Sequence, residues 1–66
     1  MRIELNGRPH AVPEGTTVEA LLGSLRLRPE VAAVEVDEQL VPRAERAARV
    51  LAAGARVEVV TLVGGG

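Results

Sequence analysis

Arg56-Val57-Glu58-Val59-Val60-Thr61-Leu62-Val63, read as an extended strand, is apolar on both faces. Successive strand side chains point to opposite sides, so Val57, Val59, Thr61 and Val63 share one face and Glu58, Val60 and Leu62 the other. A strand apolar on both faces is usually central in its sheet. Only one long amphipathic segment is available to cover that sheet. Val60 and Leu62 are therefore expected to form an exposed docking patch on the uncovered side. The alternative is a central strand covered on both faces.

The N-terminal segment fixes what lies beside this strand. Met1-Arg2-Ile3-Glu4-Leu5 alternates apolar and polar, the period of a half-buried strand. Asn6-Gly7 follows, a strong hairpin signal because both central residues of a type I′ turn need positive φ. Arg8 to Val12 is the return strand, and Pro9, which cannot donate to a ladder, places it at a sheet edge. After the turn Pro13-Glu14-Gly15, Thr16-Thr17-Val18-Glu19 fits a capping box with Thr16 as N-cap and Glu19 at the third helical position. Val18, Leu21, Leu22 and Leu25 then fall on one helical face. Pro29 disfavours helical geometry in Arg28 and predicts the stop before it.

Val31 to Val36 is a further strand with Val34 and Val36 on one face. Asp37-Glu38 turns it into the short return Gln39-Leu40-Val41. Pro42 opens the Ala/Arg-rich segment Arg43 to Ala53, with room for a helical turn or two. Arg43, Arg46 and Arg49, three apart, are expected to line its solvated side. The order strand-strand-helix-strand-strand-strand, with a right-handed crossover, puts the last strand beside the first. One sheet on one helix is an α+β two-layer domain.

Composition narrows the function classes. Sixty-six residues make one small domain. The absence of Cys removes disulfides, thiolate metal sites and a cysteine nucleophile. Phe, Tyr and Trp are absent too, so the core is aliphatic and the stacking platforms of single-stranded nucleic-acid binders are missing. Net charge is −1, which supplies no field for nucleic acid or an anionic membrane. No apolar run approaches the ~18 residues of a membrane span, and the N-terminus alternates instead of forming a signal-peptide core. A soluble, cytoplasmic protein is expected. All eight basic residues are Arg, so the chain has no side-chain amine to form a Schiff base or to accept an acyl group.

Val63 runs into Gly64-Gly65-Gly66. A terminal carboxylate without Cβ atoms beside it is sterically unguarded, and its backbone can thread where other residues cannot. This suits a protein whose own C-terminus reacts; the plain alternative is a frayed end.

The Asn6-Gly7 hairpin, the Gly15-Thr16-Thr17-Val18-x-x-Leu21-Leu22 helix, Val41-Pro42-Arg43 and the C-terminal glycines together resemble the ThiS family, ubiquitin-like sulfur carriers of thiamine biosynthesis. The resemblance covers the whole chain. It implies a β-grasp fold over residues 1–63: a mixed sheet of four to five strands packed on one long helix, with a flexible reactive tail at 64–66. It also implies a carrier and not an enzyme. A ThiF-like activating adenylyltransferase, using ATP and magnesium, would convert the Gly66 carboxylate into an acyl-adenylate. A persulfide donor would turn that into a thiocarboxylate, and a ThiG-like thiazole synthase would take the sulfur into the thiazole ring. Val60, Leu62 and Val63 would dock the partners while Gly64 and Gly65 thread inward. No catalytic residue, metal ligand or bound cofactor of the chain's own is required. Similar proteins often have Asn at the place of Asp37 and an aromatic near Arg46, departures that bear on partner contacts; the third glycine, Gly64, would loosen the tail.

Other residues read more plainly. His10, the only imidazole, is expected on a strand surface. Glu35, Asp37 and Glu38 form a solvated tip, or else a contact for a basic patch on the activating enzyme. Thr16 and Thr17 are helix caps. The glycines precede no helix, so the anion-binding helix N-terminus is missing. Three other functions stay open: a sulfur carrier for molybdopterin, tRNA thiolation or cysteine; a protein modifier forming isopeptide bonds; and a β-grasp interaction module without terminal chemistry.

Overall fold

Asn6 and Gly7 both take positive φ, 50° and 82°, and fold strand β1 (Arg2–Leu5) back on β2 (Arg8–Ala11). The computed structural model describes residues 1–62. Helix α1 (Val18–Ser24) crosses to β3 (Ala32–Val36), which turns through Asp37 and Glu38 into β4 (Gln39–Leu40). A long connection with a 3₁₀ turn at Arg43–Glu45 returns to β5 (Arg56–Thr61). The sheet order is β2-β1-β5-β3-β4. The last strand is central as its two apolar faces require, and β2, carrying Pro9, lies at an edge. β1 and β5 are parallel and the other pairs antiparallel, a mixed sheet.

One face of this sheet packs on α1. Ile3, Val34, Val36 and Val57 meet Val18, Leu21 and Leu22 of the helix, and Val12, Val41, Leu51 and Ala55 close the sides. All are aliphatic, so close packing depends on branched shapes interlocking on the pleat.

The helix differs from its sequence reading at both ends. Thr17, one residue later than expected, is the N-cap, and its hydroxyl accepts from the Ala20 N–H at 3.0 Å. Thr16 instead donates its hydroxyl to the Pro13 carbonyl at 2.6 Å, closing the preceding turn. The capping box with Glu19 therefore does not form. Two of the first helical N–H groups, on Val18 and Glu19, are met by the carbonyls of Arg49 and Arg46 in the long connection. Tertiary contact has replaced a local cap there.

The C-terminus comes at Ser24, making α1 seven residues and not a long helix. Arg26 takes φ +59°, its N–H bonds the Gly23 carbonyl, and the Leu27 N–H bonds the Leu22 carbonyl. This pair of bonds is a Schellman closure. Glycine usually fills its left-handed position; Arg fills it here, so nothing in the local sequence announced the stop ahead of Pro29.

The Arg row does not form a solvated face either. The 43–53 connection holds only the 3₁₀ turn, so a three-residue spacing does not put Arg43, Arg46 and Arg49 on one solvated side. Arg43 is exposed, but Arg46 is 6% exposed, the one buried charged side chain among the described residues. Its guanidinium donates to the carbonyls of Pro29 (Nη1, 3.1 Å) and Ala32 (Nη2, 2.7 Å).

Candidate functional site

The strand that ends nearest the C-terminal glycines separates its side chains sharply. Val57 is buried and Val59 half-buried on the helix side. Glu58, Val60 and Leu62 point to the uncovered side, with Val60 60% and Leu62 59% exposed. Pairing with β3 sets Ala33 opposite Val60 and Glu35 opposite Glu58. Leu40, 65% exposed, stands opposite Glu35 on β4. The open face thus has an apolar end at Ala33, Val60 and Leu62 and an acidic band behind it at Glu35 and Glu58.

That band carries a cost. Carboxylates directly opposite each other on adjacent strands repel, and among the described residues no Arg lies within ion-pairing distance of either one. Folding alone gives no reason for the arrangement. Glu35, Asp37 and Glu38 are all exposed, the solvated tip expected, and Asp37 is also tied into the sheet. The Asp37 carboxylate accepts from the Arg56 N–H at 3.0 Å, and the Arg56 carbonyl accepts from the Asp37 N–H at 2.7 Å. Asn could make that same side-chain contact at φ +51°, so the departure at position 37 leaves the turn intact. Arg56 and Glu38 also approach to 3.8 Å, a solvated pair worth little.

Of the residues singled out for function, Val60 and Leu62 lie together at the end of β5, on the exposed face. Val63, Gly64, Gly65 and Gly66 lie outside the described residues. His10 sits half-buried on β2 opposite Ile3. Among the described residues no three of His, Asp and Glu gather as metal ligands, and no helix is long and apolar enough to cross a membrane.

Two residues that shape this end of the sheet make long-range bonds that the sequence reading did not foresee. One is Arg46. The other is Asn6, whose side-chain amide reaches β5 after serving the hairpin turn. No local pattern marks either, because both act on segments distant in sequence.

A mixed five-stranded sheet of this order packed on a single helix defines the β-grasp, ubiquitin-like class. Two solved structures share it along the whole chain. The crystal structure of a thiamine biosynthesis protein (ThiS) from Geobacter metallireducens superposes with TM-score 0.85 at 30% identity, covering all of both chains. A solution structure of a thiamine biosynthesis protein from the same organism gives 0.84 at 30% identity, covering all of this chain and 88% of that one. The model of the ThiS family matches residues 3–66, and the chain belongs to that family.

Two curated relatives bear another name. A thiazole synthase of Magnetococcus marinus is 46% identical over all 66 residues, and one of Paramagnetospirillum magneticum is 35% identical over the same length. The chain spans a fifth of the length of each, 20%.

Proposed function

We propose that this chain is a sulfur carrier of thiamine biosynthesis whose reacting group is the Gly66 carboxylate. The observation that carries the reading is the end of β5. In a member of the ThiS family, the central strand presents the exposed pair Val60 and Leu62 and then leads by sequence into Val63-Gly64-Gly65-Gly66.

The chemistry follows from what a carboxylate lacks. It is a poor electrophile, and adenylation supplies a leaving group. An activating adenylyltransferase would hold ATP and magnesium, form the acyl-adenylate at Gly66 and release pyrophosphate. A persulfide would displace AMP, and a thiol cleaving the S–S bond would leave the thiocarboxylate. The carrier's part is presentation. Val60, Leu62 and Val63 would rest on the partner's surface, and Gly64 and Gly65 would pass through a channel too narrow for side chains. Glu35 and Glu58, unfavourable to the isolated fold, would gain from a basic rim on that partner.

Thiazole synthase is the acceptor best supported. In two proteins of that name, a segment one fifth of their length matches this entire chain. To test the reading, the protein is incubated with its activating enzyme, ATP and a persulfide donor, and its intact mass is measured. Exchange of one oxygen for sulfur is expected. An unchanged mass beside an enzyme that thiolates a known carrier would overturn the proposal.

A further inference from the structure

Arg46 presents a problem that packing does not solve. It is buried, and among the described residues no carboxylate lies within ion-pairing distance and its Nε finds no acceptor. A buried cation held only by neutral carbonyls is expensive, and an apolar side chain of similar reach would avoid that cost. Its benefit is to be sought in what the other two nitrogens hold.

They hold a segment that the sheet itself leaves loose. β4 continues its bonding to β3 as far as the Val41 N–H, which reaches the Val34 carbonyl at 2.9 Å. The next donor in this register would be the Arg43 N–H facing Ala32, but after Pro42 the chain leaves β3 and Arg43 enters the 3₁₀ turn. The Ala32 carbonyl, two residues along the same edge of β3, would be left without a donor. Arg46 Nη2 supplies one at 2.7 Å, and Nη1 grips the Pro29 carbonyl at the other end of the short turn Pro29–Val31. The guanidinium thus stands in for a missing rung and fixes residues 29–32 as a block.

On its opposite edge that block meets the end of β5. Ala32 stands across from Thr61, and the Val31 carbonyl accepts the Leu62 N–H at 2.5 Å. This is the last rung between β3 and β5 among the described residues. Leu62 directly precedes Val63 and the glycines, so the rung determines where the terminal segment starts.

We propose that Arg46 is a positioning residue for the terminal chemistry, acting through the 29–32 block to hold the root of the C-terminal segment at Leu62. The proposal rests on the carrier reading for its functional half, while its structural half stands apart. Loss of the guanidinium frees the Ala32 and Pro29 carbonyls, loosens the Val31–Leu62 rung and spreads the directions from which Gly66 approaches an active site.

The experiment compares Arg46→Met, which keeps the reach and removes the donors, with Arg46→Lys, which keeps the charge but cannot span two carbonyls as a fork. Backbone amide exchange is read at Leu62 and, as an internal reference, at Glu4 and Asn6, whose N–H groups bond Ala55 and Val57 at the other junction of the sheet. Arg46→Met is expected to speed exchange at Leu62 about tenfold relative to those references, as befits losing charge-assisted bonds locally, with Arg46→Lys between. An unchanged Leu62, or equal acceleration everywhere, overturns the structural half. ATP–pyrophosphate exchange by the activating enzyme is then measured on the same variants. A raised KM with kcat retained, partly restored in Arg46→Lys, supports positioning; wild-type kinetics despite a loosened Leu62 overturn it. Should Arg46→Met not fold, Arg46→Lys carries both measurements. Failure of the unmodified chain to support exchange would strike the carrier reading, and with it the functional half alone.

Discussion

The side-chain amide of Asn6 exchanges two hydrogen bonds with the backbone of Val59, accepting from its N–H at 2.8 Å and donating to its carbonyl at 3.3 Å. Parallel pairing of β1 with β5 ends at Leu5 and Val57, because the chain turns at Asn6-Gly7. A carboxamide is a peptide group on a short stem, and it carries the ladder one step further than the backbone can. Arg46 does the same for β3 on its far edge. Each side chain supplies the bonding that a neighbouring strand stopped providing.

Replacing Asn6 separates its two tasks. Asn6→Gly keeps the positive φ and loses the amide, and should cost about 1 kcal/mol for solvent-facing bonds. Asn6→Ala adds left-handed strain of roughly another 1 kcal/mol. Urea denaturation should rank the three as Asn, Gly, Ala. A Gly variant as stable as the parent would remove the ladder role.

At the helix start, Thr17→Ala should lose about 1 kcal/mol as a true N-cap. Thr16→Ala should lose clearly less, since only a turn depends on its hydroxyl. The reverse order in thermal melts would restore the capping box read from sequence.

Gly23 lies within α1, and a Cβ there meets nothing within 4 Å. Gly23→Ala should therefore stabilise the protein by about 0.5–1 kcal/mol through helix propensity alone. Calorimetry should show Tm rising by several degrees for a domain of this size. A fall in Tm would mean that the site is tighter than its surroundings indicate.

Under the carrier reading, Val60→Thr with Leu62→Ser should leave stability within about 1 kcal/mol, both side chains being solvated already. The same pair should lower kcat/KM for adenylation about tenfold by removing apolar contact from the docking face. Unaltered kinetics would move the docking surface elsewhere.

Gly65→Val should abolish adenylation without altering the melt, because the added branches obstruct threading. ATP–pyrophosphate exchange is the measurement, and an undiminished rate would exclude a narrow channel at that position.

The legible part of this fold is the part written in local periods. The hairpin at Asn6-Gly7, the edge strand marked by Pro9 and the central strand with two apolar faces are all where their residues imply. So is the exposure of Val60 and Leu62. What stayed hidden depends on contacts across the fold. The helix stops at Ser24 because Arg26 accepts a left-handed conformation usually given to Gly, and it starts at Thr17 because Arg46 and Arg49 carbonyls meet its first amides. A row of three Arg residues looks like a solvated face until Pro42 ends β4 and an orphan carbonyl draws one of them inward.

The parallel run of β1 and β5 has a consequence for handling the molecule. Glu4 stands beside Arg56, so Met1 and Leu62 are displaced along the strands by nine residue steps, roughly 30 Å at strand spacing. Whatever is joined ahead of Met1, a fluorophore, a surface anchor or a whole companion protein, departs at the opposite pole from Leu62. The fold can be held by one end and worked from the other.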